Sequence, residues 1–181
     1  MPDAALILPG FFGKLPAMGD FVTRRLPASF VGRWDRWISR HLVHRFSQGP
    51  MENAPVLRFL LGAKTFGPMT GVILASADRA GRRFPLTIAA APSLAPADIA
   101  SAAADWFDAL EATGKSARDN KMDGDGLATC LAALPYPTVK VSDDVVRGMI
   151  FWTRGCEAVG IDANAPETML DPFFPGAQGD A

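Results

Sequence analysis

The stretch "GFFGKLPAMGDFVTRRLPASFVGRWDRWI", residues 10–38, carries the clearest structural signal in this chain. Its second half places apolar side chains three and four positions apart, as on one face of an amphipathic helix. That face consists of Phe30, Trp34, Trp37, Ile38 and Leu42. Pro27 and Ser29 are start signals and Gly49–Pro50 is a stop signal. The pattern predicts a helix over 28–46 that buries both tryptophans.

Strand-like segments lie on both sides of this helix. The stretch from Leu6–Leu8 to Phe11–Phe12 predicts a strand around Pro9. Three apolar runs separated by glycine-containing turns follow the helix, at 55–61, 70–77 and 84–91. The simplest arrangement for them is a meander of three adjacent antiparallel strands, covered on one face by the helix.

The second half of the chain predicts two more helices and a late strand. A helix over 96–113 would bury a stripe of four residues, namely Ile99, Ala103, Trp106 and Leu110. A polar loop over 114–126 leads to a short helix over 127–134, and a strand is predicted over 147–155. Helices on both sides of a meander give an α+β domain with a central antiparallel sheet. We expect one domain over 1–176 and a flexible tail over 177–181.

The formal net charge of −1 conceals an asymmetry along the 181 residues. Residues 1–90 contain 12 basic and 5 acidic residues, a net charge of +7, whereas 91–181 contain 6 and 14, a net charge of −8. Such a division is compatible with an acidic partner, or with two halves that fold together and mix their charges on one surface. Because the basic residues are dispersed, we expect no nucleic-acid partner.

Membrane insertion and a disulfide framework are both unexpected. The N-terminal apolar run is short and contains Pro9, so it does not resemble a signal peptide. No run approaches the length of about 18–20 apolar residues that a membrane span requires. The two cysteines, Cys130 and Cys156, are predicted to be small buried hydrophobic residues in a reducing cytoplasm.

Motifs for catalysis or cofactor binding are incomplete. "ATGKS" (112–116) lacks the first glycine and the strand–loop–helix context of a phosphate-binding loop. "DNKMDGDG" (119–126) has Lys121 at a calcium-ligand position. His41 and His44 are the only histidines, and no third metal ligand lies near them in sequence. We therefore expect no catalytic residues, no metal and no cofactor.

Two long blocks resemble a known family. The opening stretch is similar to the start of the TagF (also called ImpM) family of type VI secretion accessory proteins, and "GVILASADRAGRRFPLTIAA" (71–90) resembles its second block. "FWTRG" (151–155) looks like its late strand. The acidic segment Asp119–Asp125 has no counterpart in this resemblance.

The resemblance implies a cytoplasmic, non-enzymatic protein that represses type VI secretion post-translationally. It also implies a forkhead-associated scaffold protein as the partner, and a longin- or profilin-like fold with helices on both faces of the sheet. The alternative to a protein-binding module is a small hydrolase or ligand-binding domain with a pocket around Asp78, Arg79 and Arg83.

The matching residues are interpreted as a structural signature. They are Gly10, Gly13, Pro16, Gly19, Asp20, Trp34, Asp35, Trp37, Asp78, Arg79, Gly81 and Pro85. The first three glycines are expected to allow turns that a Cβ would strain, with phenylalanines filling the core beside them. The charged members are expected to organise loops through hydrogen bonds and ion pairs. Lys14 is expected to be a surface cation.

Four arginines are candidates for partner binding. Arg24, Arg25, Arg82 and Arg83 lie at predicted turns or strand ends, where side chains on a rigid sheet can reach a partner. Arginine is enriched in interface hot spots and pairs with carboxylates in a bidentate manner. These residues could instead bind the acidic half of their own chain.

Overall fold

The computed structural model describes residues 5–177, which fold around one seven-stranded sheet. In chain order the strands are β1 (Gly10–Gly13), β2 (Val22–Arg24), β3 (Leu57–Leu61), β4 (Met69–Leu74), β5 (Leu86–Ala90), β6 (Met149–Trp152) and β7 (Val159–Ile161). Their spatial order is β2-β1-β5-β4-β3-β6-β7, and every neighbouring pair is antiparallel. The first strand begins at Gly10, later than the predicted start at Leu6.

The predicted meander is confirmed at the centre of this sheet. Phe59 of β3 pairs with Gly71 of β4, and Gly71 pairs with Ala89 of β5. All residues of these three strands are buried. A strand that is covered on both faces must be apolar in nearly every position, which explains why the sequence shows continuous apolar runs there.

One face of the sheet is covered by the helix that the opening stretch predicts. It is formed by α1 (Ala28–His41) and a short α2 (Val43–Phe46), so the single helix predicted over 28–46 is interrupted at Leu42. Both tryptophans are buried, as predicted. The indole N–H of Trp34 donates to Thr87 Oγ1 of β5 at 2.9 Å, which fixes the helix to the sheet.

The opposite face is covered by α3 (Ile99–Ala102), α4 (Ala104–Asp119) and α5 (Gly124–Ala132). The predicted stripe is buried, but the single helix predicted over 96–113 is interrupted at Ala103, and the loop predicted over 114–126 is reduced to 120–123. Helix α4 continues to Asp119, and Gly114 lets it pack closely against the sheet, since a Cβ there would lie 2.8 Å from a methyl group of Leu74. Asp123 then caps α5 by accepting the amide of Gly126 at 2.8 Å. The acidic segment is therefore a helix end followed by a helix start.

The late part of the chain adds elements that the sequence analysis missed. Only β6 was predicted there, whereas β7 and α6 (Glu167–Leu170) were not. Short 3-10 helices are formed by Met51–Asn53, Asp171–Phe173 and Pro175–Ala177. Residues 178–181 of the predicted tail lie outside the described residues.

Helices on both faces of an antiparallel sheet confirm the predicted α+β class. Each face has its own core. Phe59 and Phe151 contribute to the core on the α1 side, and Leu60 and Trp152 to the core on the α4 side. Within residues 5–177, no helix combines the length and the hydropathy of a membrane span.

Candidate partner interface

Two loops of the signature meet at one end of the sheet. The first runs from Lys14 to Phe21, between β1 and β2. The second is the turn after β4, where Ala77 bridges to Arg83 and the amide of Asp78 donates to the carbonyl of Arg82 at 3.1 Å. Gly81 has φ +82°, a backbone conformation that glycine adopts without strain, so the turn needs glycine at this position.

The Asp78 carboxylate is the centre of this turn. Its side chain is fully buried, and Oδ1 accepts the amides of Ala80 and Arg82 at 3.0 Å each. Its Oδ2 lies 3.0 Å from Lys14 Nζ and 2.7 Å from Arg82 Nε. Burial raises the pKa of Asp78, but hydrogen bonds from Lys14 and Arg82 outweigh it and lower the pKa to about 2. Asp78 is therefore ionised at neutral pH.

This arrangement changes two expectations about charged residues. Lys14 is buried against Asp78, so the expectation of a surface cation is wrong. Asp35 lies on α1 and accepts a bond from Ser39 of the same helix at 3.3 Å, so it does not organise a loop. Asp20 accepts the amide of Phe21 at 2.7 Å within the first loop, as expected.

Further hydrogen bonds tie the first loop to the second. Arg79 donates through its amide to the Met18 carbonyl at 2.8 Å and through Nη2 to the Ala17 carbonyl at 2.5 Å. Arg82 Nη2 donates to the Gly19 carbonyl at 3.0 Å. The two sequence blocks of the signature are thus joined in space through side chains that bind backbone carbonyls.

Two glycines of the first block, Gly10 and Gly13, allow close packing of the backbone, and Gly13 lies against Pro85 of the second block. Gly13 has φ +142° in β1, and a Cβ there would collide with the Pro85 carbonyl. Gly10 lies in the same strand, where a Cβ would collide with the Arg24 carbonyl. Both glycines therefore allow backbone contact within the sheet, where turns were predicted. Gly19 has open space around its Cβ position and no positive φ, so the prediction of strain there is wrong.

An aromatic side chain is exposed between the two loops. The relative solvent exposure of Phe21 is 45%, contrary to the prediction that the phenylalanines here fill the core. Its ring stacks on Phe12 with centroids 5.7 Å apart and meets the edge of Phe84 at 4.8 Å. Lys14 Nζ lies 5.0 Å from the ring centroid. Phe21 is thus a rigidly held, exposed ring.

We call Phe21, Arg79 and Arg82 the signature patch. The Arg82 side chain is 65% exposed although its Nε binds Asp78. Arg79 is also exposed. Phenylalanine and arginine are both enriched at protein–protein interfaces, so an exposed ring on the first loop and exposed guanidinium groups on the second have the composition of an interface. The exposure of Phe21 is a tertiary property, because its sequence neighbourhood resembles that of the buried phenylalanines.

The four candidate arginines do not form one cluster. Arg24 Nη2 lies 3.3 Å from Asp125 Oδ1, and Arg25 Nη1 donates to the Ala128 carbonyl at 2.9 Å, so both face α5. Arg83 donates to the carbonyls of Phe46 and Gly49 at 2.7 and 2.8 Å, beside the end of α2. Helices α5 and α2 cover opposite faces of the sheet.

The residues of the alternative pocket differ in exposure and in the groups that they bind. The carboxylate of Asp78 is fully buried and is occupied by its own neighbours. Arg79 is exposed, and two backbone carbonyls hold Arg83. Asp78 and Arg83 therefore both bind groups of their own chain.

His41 is bound to an acidic side chain, no metal-binding cluster is present among residues 5–177, and the cysteines lie at the surface. His41 Nδ1 lies 2.6 Å from Glu167 Oε1, and hydrogen bonds from the Glu167 amide and from His41 lower the pKa of Glu167. Among residues 5–177, no group of three or more histidine, cysteine or acidic side chains could hold a metal ion. Cys130 and Cys156 are both exposed, so the prediction that they are buried is wrong.

One buried ion cluster was missed by the sequence analysis. Arg58 of β3 is buried and pairs with Asp108 at 2.5 Å and with Glu111 at 2.7 Å, both on α4. The signal was an arginine in the middle of the apolar run 55–61, followed later by two acidic residues three positions apart on a helix. It joins a helix to the sheet and lies apart from the signature patch.

A family model described as the TagF N-terminal domain, type VI secretion system-associated, matches residues 10–134. The chain belongs to this family. The matched region includes both signature loops, the meander and helices α1 to α5. The resemblance that the opening stretch and the second block indicated is thus confirmed.

The fold is also similar to a solved structure, the crystal structure of PA0076 from Pseudomonas aeruginosa PAO1. The two chains are 25% identical, the TM-score is 0.71, and the similarity covers 96% of each chain. It therefore extends beyond the TagF N-terminal match to the late strands. No match to a curated protein was found.

Proposed function

We propose that this TagF-family chain is a cytoplasmic, non-enzymatic accessory protein that represses type VI secretion post-translationally. It acts by binding a forkhead-associated scaffold protein of that system. Family membership supports the association with type VI secretion. The Asp78 carboxylate is buried and bound by Lys14, Arg82 and two backbone amides, which supports a structural role for this residue.

The observation that carries the proposal is the signature patch. Most large apolar side chains are buried, but Phe21 is held at the surface between two cross-linked loops. Aromatic residues, including phenylalanine, and arginine are enriched at protein–protein interfaces. The exposed guanidinium of Arg82 lies on the second of these loops, within reach of a carboxylate on a partner.

The four candidate arginines contribute to this proposal in two ways. Arg24 and Arg82 each keep a substantial part of the side chain exposed, 42% and 65%, so they can contact the scaffold. Arg25 and Arg83 bind backbone carbonyls and orient the segments that carry their neighbours. Reversal of charge at Arg24 should therefore weaken binding without unfolding the protein, whereas reversal at Arg82 would also place a carboxylate beside the buried Asp78 and lower the stability of the fold.

The test measures scaffold capture and thermal stability in parallel. We expect Phe21→Ser combined with Arg79→Glu to abolish capture of the purified scaffold, with circular dichroism still showing a folded protein, because the Arg79 side chain is exposed and does not bind Asp78. The matched control is Leu94→Ser combined with Lys140→Glu, because Leu94 is exposed and Lys140 is an exposed cation outside the patch. Arg24→Glu with Arg25→Glu tests the second arginine pair.

Retained capture in both arginine-containing variants would contradict the proposal. Loss of capture only where the fold is also lost would show that these arginines serve the fold. Turnover of any substrate by the wild-type protein would contradict the non-enzymatic role.

A further inference from the structure

The exposed face of α1 carries arginines that the fold does not use. Arg36 and Arg40 are exposed, and neither side chain forms an ion pair or hydrogen bond with any residue among 5–177. Arg33, one turn earlier, is exposed too; its guanidinium lies 5.2 Å from the Phe66 ring centroid and binds the Thr65 carbonyl. Elsewhere arginines such as Arg58 are bound to carboxylates of their own chain.

These arginines line an open groove of about 850 Å³ beside α1. Trp37 and Phe66 give the groove apolar surface, and Asn164 lies on the far side. The one carboxylate among its lining residues is Asp35, which accepts a bond from Ser39. His41 also lines the groove, but its Nδ1 is bound to Glu167. The groove is therefore positively charged at neutral pH.

The spacing of the arginines defines the ligand that fits. Arg36 and Arg40 are one helical turn apart, about 6 Å along the axis of α1. Alternate side chains on one face of an extended peptide are separated by about 6.6 Å. Carboxylates at alternate positions can thus meet successive guanidinium groups in bidentate pairs.

We propose that the α1 groove, lined by Arg33, Arg36 and Arg40, binds an extended acidic segment of a protein partner with carboxylates at alternate positions. This inference rests on the proposed function in one respect, namely that the chain acts by binding a protein partner. A nucleic acid fits less well, because the formal net charge is −1 and a carboxylate lies in the groove. Nucleic-acid affinity depends on neutralising many phosphates.

The test uses a fluorescent dodecapeptide of alternating Glu and Ser, and the same peptide with Gln in place of Glu. We expect the acidic peptide to bind, with affinity that falls as salt is added, and the neutral peptide not to bind. Charge reversal by Arg36→Glu with Arg40→Glu should weaken binding by about tenfold or more, because it replaces two attractive pairs by repulsion. Both residues are exposed, so the protein should stay folded, with only a small fall in melting temperature from like charges four positions apart near the end of α1.

The matched control is Lys140→Glu with Arg147→Glu, which changes the net charge equally at two exposed cations outside the groove. Loss of peptide binding in the α1 variant alone supports the proposal. Equal loss in the control, equal binding of the neutral peptide, or no binding by the wild type would overturn it. Tighter binding of a single-stranded 12-nucleotide DNA, lost in the same variant, would overturn it in favour of nucleic acid.

The groove proposal and the scaffold proposal can be contradicted independently by these two experiments. If the scaffold is captured but the acidic peptide is not bound, the groove proposal fails and the scaffold proposal stands. If the peptide is bound at the α1 groove but the scaffold is not captured, the partner differs from the scaffold while the acidic-segment chemistry is retained.

Discussion

Two clusters of buried charge hold this protein together, and they are built in opposite ways. In the first, the Asp78 carboxylate lies at the centre, and Lys14 and Arg82 surround it together with two backbone amides. In the second, the Arg58 guanidinium lies at the centre, between two carboxylates of α4. One cluster has a central anion in a turn, and the other has a central cation in a strand.

This difference shows which part of the fold each cluster stabilises. Backbone amides supply half of the contacts of Asp78, so that cluster fixes the shape of a turn and its attachment to the first loop. Only side chains are involved around Arg58, so that cluster fixes the position of α4 on β3. Burial is favourable in both only because every charge has an oppositely charged or hydrogen-bonding partner.

The largest effect is expected when the central cation is removed. Arg58→Ala leaves Glu111 buried and Asp108 without its shortest bond, so the free energy of unfolding should fall by about 3–5 kcal/mol. Arg58 is 4% exposed, so solvent cannot replace the lost partner. Chemical denaturation measures this loss.

A matched control is Arg154→Ala, which removes the exposed second partner of Asp108 and should cost no more than about 1 kcal/mol. A double variant, Arg58→Met with Glu111→Leu, should recover much of the loss because it removes both buried charges. Equal losses of stability for Arg58→Ala and Arg154→Ala would show that the buried ion pairs of Arg58 stabilise the fold no more than the exposed pair of Arg154.

The central anion predicts a dependence on pH. The pKa of Asp78 is about 2 in the folded protein and about 3.9 in an unfolded chain, so its ionised form stabilises the fold above about pH 4. This contribution is lost as the pH falls from 4 towards 2. In Asp78→Asn the corresponding part of the acid-induced loss should be absent, as measured by denaturant unfolding between pH 7 and pH 2.

The stability difference between wild type and Asp78→Asn should therefore be greatest at neutral pH and shrink towards pH 2. Asp20→Asn is the control, since Asp20 is an exposed acid in the neighbouring loop and leaves the Asp78 contacts in place. A difference that stays constant across this range would mean that Asp78 acts through its shape and not through its charge.

The smallest effect is expected at the edge of the first cluster. Arg79 is exposed, and its side chain makes one hydrogen bond, to the Ala17 carbonyl. Arg79→Ala should lower the free energy of unfolding by about 0.5–1 kcal/mol, which thermal melting detects. Arg36→Ala, at an exposed position on α1, should change it by less than about 0.5 kcal/mol. A larger loss of stability in Arg79→Ala would show that Arg79 contributes to the stability of the Asp78 cluster.

Local patterns were sufficient for the elements near the signature. The helical spacing of Trp34 and Trp37 predicted α1 and its buried face, and the three apolar runs predicted β3, β4 and β5 in the correct order. These predictions succeed because periodicity reflects which side of an element faces the core.

Properties that depend on distant partners could not be predicted from local patterns. Lys14 is buried because Asp78, far along the chain, neutralises it. Gly114 is accommodated inside α4, although glycine disfavours helices, because a Cβ there would crowd Leu74 and Ile88 of the sheet. Phe21 is exposed and the cysteines are exposed, although residue type favours burial for both. In each case the chemistry of the residue is known, but its partner or its surroundings are set by the fold.

The sequence by itself determined the family, the α+β class and the burial of α1 through its tryptophans, because these follow from motifs and periodicities within short segments. Only the tertiary structure decided which charges pair and which remain at the surface. It brought Lys14 to Asp78 and Arg58 to Glu111, and left Arg36 and Arg40 without a partner among residues 5–177. The physical reason is that the energy of a charge depends on the distance to its partner and on exclusion from water, and both are fixed only when separate segments pack together.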